Sequence, residues 1–186
     1  MSNWVSLWNS NSYRELKTEN FNRVNSFLKS PNRILDIGCG YAFESEMFQK
    51  KYQTELYLLD SSIDNTKHIN RQTNYGTADN FSYYHTVNQL TESFDQRNIN
   101  YTFVDSSNTS VLGFDLTFDV VYSFLSCGFH YPANTYRQLI LEHTNADSVI
   151  ILDLRKDTLD EQLTSIEILN TVYEGKKHIT AQIKFL

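Results

Sequence analysis

Short apolar runs alternate along the chain with stretches whose apolar positions recur every three or four residues. These are the two periodicities that separate buried strands from amphipathic helices. Phe21, Val24, Phe27 and Leu28 make a helical stripe that Pro31 closes, and residues 34–37 (ILDI) read as the first strand. Phe43, Met47, Phe48 and Tyr52 predict a helix over 43–52, followed by a second strand at 55–60 (ELYLLD). Val87, Leu90 and Phe94 mark another helix before a strand at 101–105 (YTFVD). Residues 119–126 (DVVYSFLS) predict a buried fourth strand, 136–143 a helix, and 148–154 (SVIILDL) a fifth strand. The β-favouring runs 166–174 and 178–185, parted by Gly175-Lys176-Lys177, predict a terminal antiparallel hairpin. The expectation is an α/β fold: a Rossmann-like doubly wound sheet, mostly parallel, with a C-terminal antiparallel hairpin.

One interval is too long for a simple crossover. About 40 residues part the second and third strands, where roughly 10 to 20 suffice. Residues 61–100 are therefore read as carrying a lid or substrate insertion. Its segment 75–85 (YGTADNFSYYH) offers Tyr83 and Tyr84 as substrate contacts, or forms a surface excursion packed by its own aromatic rings. Residues 1–30 read as an N-terminal arm and helix of the same single domain, 1–186. Trp4, Trp8 and Tyr13 read as packing the arm against the sheet.

Length and composition narrow the class. At 186 residues with 40% hydrophobic and 20% charged residues, the chain fits one folded domain. No apolar run approaches the ~20 residues of a membrane span, and no basic-then-apolar leader is present, so a cytoplasmic protein without a membrane partner is expected. A net charge of −6 and the lack of a basic run argue against duplex nucleic acid as a partner. Two cysteines, Cys39 and Cys127, give neither a disulfide framework nor a zinc spacing, and no metal is expected. The 18 asparagines carry no functional weight. Oligomeric state is not encoded in any pattern.

The sharpest local signal is Ile34-Leu35-Asp36-Ile37-Gly38-Cys39-Gly40-Tyr41-Ala42, a strand entering a glycine-rich turn and then a helix. In an open α/β sheet such a turn lies at the carboxyl edge, where ligands bind. Gly38 and Gly40 permit a tight turn and close backbone approach. A dinucleotide fingerprint needs a small residue at position 43, where Phe43 stands, so NAD is disfavoured. An acidic residue followed by GxGxG fits better, with Ala42 replacing the last glycine.

That segment resembles motif I of class I S-adenosylmethionine (SAM) dependent methyltransferases, and the chain is similar to that family from about residue 15 onward. The resemblance implies the seven-stranded methyltransferase fold, SAM as cofactor, and a small-molecule acceptor as partner. It places Asp36, Gly38, Cys39 and Gly40 at the cofactor, with Asp36 acting on the methionine end directly or through water. It implies that Asp60, with Ser61 beside it, holds the ribose hydroxyls, and that Asp105 and Ser106 meet the adenine. Phe118-Asp119-Val120-Val121 is similar to the family's FDxV segment, and Ser123 follows in the cofactor-facing group. A sulfonium cation and a neutral adenosine suit carboxylates better than phosphate-binding Lys or Arg. Each aspartate alone also reads as a cap or turn residue. For Trp4, Trp8 and Tyr13 the resemblance implies an alternative to packing on the sheet, an arm folded over the cofactor.

In this family the loop after the fourth strand faces the transferred methyl group. Here it reads Ser126-Cys127-Gly128-Phe129-His130-Tyr131-Pro132, unlike the Asn/Asp-Pro-Pro-Tyr of amino-methylating nucleic-acid enzymes. His130 is the candidate general base, or else a structural histidine. Phe129 and Tyr131 read as pocket walls, and both cysteines as packing residues. His85, His143 and His178 have no partner at ligand spacing and read as surface or helix-end residues. The expected activity is methyl transfer to a small-molecule or sugar-like acceptor, O-methylation favoured. The alternative is a non-catalytic SAM- or nucleoside-binding regulatory module of the same fold.

Overall fold

The computed structural model describes residues 10–60 and 86–186, so Trp4, Trp8, Ser61, Tyr83, Tyr84, His85 and most of the 61–100 insertion lie outside the described residues. Five apolar segments, β1 (Arg33–Ile37), β2 (Glu55–Asp60), β3 (Tyr101–Asp105), β4 (Val120–Ser123) and β5 (Val149–Arg155), form parallel strands. The closing pair is β6 (Ile166–Glu174) and β7 (His178–Phe185), with β7 antiparallel to both β5 and β6. The sheet order is β3-β2-β1-β4-β5-β7-β6. Strand β1 thus has β2 on one side and β4 on the other, and the crevice outside their carboxyl ends is where such a sheet binds ligands.

The continuous apolar runs follow from burial on both faces. Ile34, Leu58 and Tyr122 look toward one layer, where α1 (Asn11–Asn25), α2 (Phe43–Tyr52) and α3 (Val87–Gln96) supply Val24, Phe48, Leu90 and Phe94. Leu35, Val121, Leu152 and Ile183 look toward the other, with Ile140 of α4 (Arg137–Glu142) and the flanking Leu159 of α5 (Leu159–Gln162). Thr86 starts α3 with a reciprocal capping box to Gln89.

Several boundaries differ from the sequence expectation. The first helix begins at Asn11, where the Ser10 hydroxyl accepts from Tyr13 N–H, and it ends at Asn25. Its buried positions are Lys17, Asn20 and Val24, so a polar stripe concealed its extent. Phe27 is exposed, and Leu28 is buried beyond the helix end. Strand β4 stops at Ser123 because Leu125 turns through a φ of 54°. A 3-10 turn, Ala133–Tyr136, replaces the first residue expected of α4. His143 is buried rather than superficial, with Nδ1 2.8 Å from Leu116 O and its ring against Phe118.

Candidate functional site

The turn out of β1 alternates into the left-handed region, with φ of 72° at Gly38, 48° at Gly40 and 51° at Ala42. Gly38 and Cys39 N–H both donate to Leu59 O, at 2.7 and 3.1 Å, which ties the turn to the end of β2. A Cβ on Gly38 would lie 1.9 Å from Ser126 Oγ, so the loop after β4 seats directly on this glycine. Ala42, the departure from the family pattern, occupies a conformation that favours glycine, at a cost of about 1–2 kcal/mol. It opens α2 without a side-chain cap.

Two carboxylates stand beside the turn. Asp60 and Asp105 are register partners at the ends of β2 and β3. Asp60 Oδ2 accepts Gly40 N–H at 2.9 Å, so this carboxylate braces the glycine turn it adjoins. Ser106 N–H donates to Asp60 O at 2.9 Å, which carries the ladder past the strand ends. Asp105 Oδ1 accepts from Ser107 N–H and Ser107 Oγ, both at 2.8 Å, closing a tight turn. Asp60, Asp105, Ser106, Gly38, Cys39 and Gly40 are thus brought to one edge.

Asp36 and Ser123 sit behind that edge. Asp36 is buried, and its Oδ2 accepts from Ser45 Oγ at 2.7 Å and Tyr122 OH at 3.1 Å. Burial first, then the nearby Glu44, pushes its pKa up to about 7, against the pull of Ser45 and Lys17. Ser123 Oγ donates to Ile37 O at 2.7 Å and accepts Cys127 N–H at 2.8 Å, pinning the end of β1 to the loop after β4. Both cysteines are buried, and burial raises the pKa of each thiol.

Lys17, Glu44 and Arg97 belong to no motif of the sequence. Lys17 forms a buried ion pair with Glu44 at 2.9 Å, joining α1 to the start of α2. Burial opposes its charge, yet Glu44 and Tyr13 hold its pKa above the ordinary value. Its only sequence signal is the i, i+3, i+7 spacing of Lys17, Asn20 and Val24. Arg97, after α3, donates from Nη1 to Glu46 at 2.6 Å and from Nη2 to Tyr41 O, and its guanidinium lies 4.6 Å from the centroid of Phe43. That packing accounts for a large residue at position 43.

The loop after β4 is held from below. Asp153, buried on β5, accepts Leu125 N–H at 2.9 Å. Gln162 of α5 donates to Gly128 O at 2.9 Å and accepts Ala133 N–H at 3.2 Å. Gly128 has φ of 88°, and a Cβ there would meet Asp153 O at 2.7 Å. Tyr131 OH pairs with Ser126 Oγ at 2.8 Å beside Gly38. Phe129 and His130 are half-buried, rings edge-to-face at 5.1 Å. His130 Nδ1 is buried without a hydrogen-bond partner, and burial, then Arg155, lowers its pKa.

No family model matches the sequence, and the search of curated proteins finds no significant match. Solved structures do match. The ribosomal protein L11 methylase of Lactobacillus delbrueckii subsp. bulgaricus superposes with a TM-score of 0.61 at 13% identity, covering 95% of this chain and 80% of that one. The fold is that of class I methyltransferases. A precorrin-6y C5,15-methyltransferase from Geobacter metallireducens GS-15 gives a TM-score of 0.54 at 14% identity, over 91% and 86% of the two chains. A mutant of MtNAS, solved in complex with S-adenosylmethionine, gives 0.60 at 13% identity, over 97% of this chain and 65% of that one. The glycine turn and the Asp60–Asp105 pair occupy the carboxyl edge of this methyltransferase fold. No helix among the described residues is long and apolar enough to cross a membrane.

Proposed function

We propose that the chain is a SAM-dependent methyltransferase acting on the hydroxyl of a small-molecule or sugar-like acceptor. The observation that carries this reading is the register pair Asp60–Asp105 beside the glycine turn, at the switch point of the sheet. Two carboxylates, and a turn whose five residues 38–42 include no Lys or Arg, suit a neutral nucleoside and a cationic sulfonium and do not suit phosphates. The turn is packed tightly on the loop after β4, since a Cβ on Gly38 would strike Ser126. The complex of MtNAS with S-adenosylmethionine on the same fold supports the choice of cofactor.

Within this reading Asp60 holds the ribose hydroxyls, Asp105 and Ser106 meet the adenine, and Gly38, Cys39 and Gly40 give the close backbone approach. Asp36 and Ser123 act from behind, fixing α2 and the β4 loop against β1. Phe129 and Tyr131 form acceptor walls, and His130, the candidate base read from the sequence, stands in that loop with its ring against Phe129. When bound, the cofactor supplies an electrophilic methyl group; the protein's part is to orient the acceptor in line and to take its proton. The acidic charge of the chain favours a small acceptor over a nucleic acid.

Titration calorimetry with S-adenosylhomocysteine (SAH) tests the reading. The wild-type chain is expected to bind at micromolar levels. Asp60→Ala removes charge-assisted hydrogen bonds worth roughly 1.5–3 kcal/mol, so its Kd should rise about 10- to 100-fold. A wild-type chain that does not bind SAH overturns the proposal, and methylated product from a metabolite extract separates an enzyme from a binding module.

A further inference from the structure

The sequence offers His178 no partner at ligand spacing; the fold sets it beside Asp153. It opens β7 and pairs across the sheet with Arg155, the last residue of β5, so it stands at the same carboxyl edge as the glycine turn. Its Nε2 lies 3.8 Å from Asp153 Oδ2. Asp153 is buried, with Oδ1 accepting Thr180 Oγ1 at 2.6 Å and Oδ2 accepting Leu125 N–H at 2.9 Å. One carboxylate therefore fixes the turn out of β4 and backs an imidazole. The His178 ring meets Phe129 edge-on at 5.8 Å between centroids, and its side chain keeps 21% exposure, which leaves one flank open.

Phe129 thus lies between two imidazoles in different surroundings. Protonating His130 would place a charge beside Arg155, on a ring whose Nδ1 is buried and unpartnered. The His178 ring instead faces the Asp153 carboxylate, with Nε2 3.8 Å from Oδ2, within ion-pair reach although longer than a hydrogen bond. The other charged or titratable groups near the pair are Arg155 on β5, Tyr173 on β6 with Arg23 of α1 over its ring, Glu174 paired with Lys156, Lys177 of the hairpin turn, His130 on the far side of Phe129, and Lys17 of α1, whose charge acts on Asp153. Among the described residues Asp153 is the buried carboxylate that faces the ring.

We infer that His178, oriented by Asp153, is the general base of the acceptor site, and that the acceptor group is a hydroxyl too weakly acidic to ionise unaided at neutral pH. The inference rests on the methyl-transfer reading above. With Nε2–H turned to Asp153, Nδ1 takes the proton as the acceptor O–H bond breaks. The acceptor oxygen forms the new C–O bond while the sulfonium C–S bond breaks, its electron pair staying on sulfur as a neutral thioether. The imidazolium then loses its proton to water through the open flank.

The test uses the full chain, SAM carrying a tritiated methyl group, and three probe acceptors: catechol, 4-hydroxybenzoate and a methyl glucoside. Wild type, H178N, D153N and H130N are first titrated with SAH. Binding within about threefold of wild type shows that each variant folds; absence of binding by wild type overturns the methyl-transfer reading itself. H178N is expected to lower kcat about 100-fold or more with KM for SAM unchanged. It should also abolish the acid limb of the kcat/KM pH profile and regain activity with free imidazole. D153N should lower kcat in the same sense, whereas H130N should raise the acceptor KM and keep the acid limb. Loss of the acid limb in H130N but not in H178N overturns the assignment, as does a wild-type chain that binds SAH but methylates none of the three probes.

Discussion

Asp36 interrupts a strand whose Ile34, Leu35 and Ile37 are fully buried, and it is buried with them. A carboxylate at that depth is held by Ser45 and Tyr122, yet its pKa rises from 3.8 to about 7. Between those values the folded chain keeps a proton that the unfolded chain has lost, so the contribution of Asp36 to stability falls as pH climbs from about 4 to about 7 and is level above that. Asp36→Asn removes this dependence. Urea unfolding at several pH values from 4.5 to 8 should show the Asn variant gaining on wild type as pH rises; a difference that stays constant over that range counts against the assignment. At this scale the glycines, Asp60 and Asp105 were legible because their spacing follows from strand ends. The inward position of Asp36 and the partnership of His178 were not. Strand alternation assigns a face, but it does not say which side chain from a distant element meets it.

Helix α1 illustrates what element-scale patterning hides. Strands β1, β2, β4 and β5 were recoverable because double-sided burial leaves continuous apolar runs, and a hairpin announces itself by its turn. Helix α1 instead buries Lys17 and Asn20 with Val24, and its inward stripe meets Glu44 through a 2.9 Å ion pair and a 3.3 Å hydrogen bond from Asn20. Periodicity counted on apolar residues alone misses such a face. Because both partners are buried, removing one leaves an uncompensated charge, and Lys17→Met should cost about 3–5 kcal/mol. Replacing both, as Lys17→Met with Glu44→Leu, removes the charge altogether and should restore most of that loss. Chemical denaturation of the single and double variants forms a mutant cycle; additive effects would show that the pair does not hold α1 to α2.

Across the described residues the carboxyl edge divides into two halves that meet where β1 lies beside β4. The ends of β1, β2 and β3 carry the glycine turn with Asp60 and Asp105, while the loops and ends of β4, β5 and β7 carry Phe129, His130, Asp153 and His178. Gly38 and Ser126 close the seam: Gly38 has no space for a Cβ because Ser126 Oγ would lie 1.9 Å away. Gly128 lies within the second half, where a Cβ would strike Asp153 O at 2.7 Å under a φ of 88°. The two glycines therefore make opposite predictions. Gly128→Ala should lower stability by about 1–3 kcal/mol through backbone strain and leave the Kd for SAH within about threefold, since the damage stays on the acceptor side. Gly38→Ala should weaken SAH binding at least tenfold. Part of that loss comes from the left-handed backbone and part from the collision with Ser126, and the double variant Gly38→Ala with Ser126→Gly separates them. Recovery of SAH binding in the double variant assigns the loss to the seam between the halves. If binding stays lost, the glycine is needed for the turn itself, and the seam does not transmit the change.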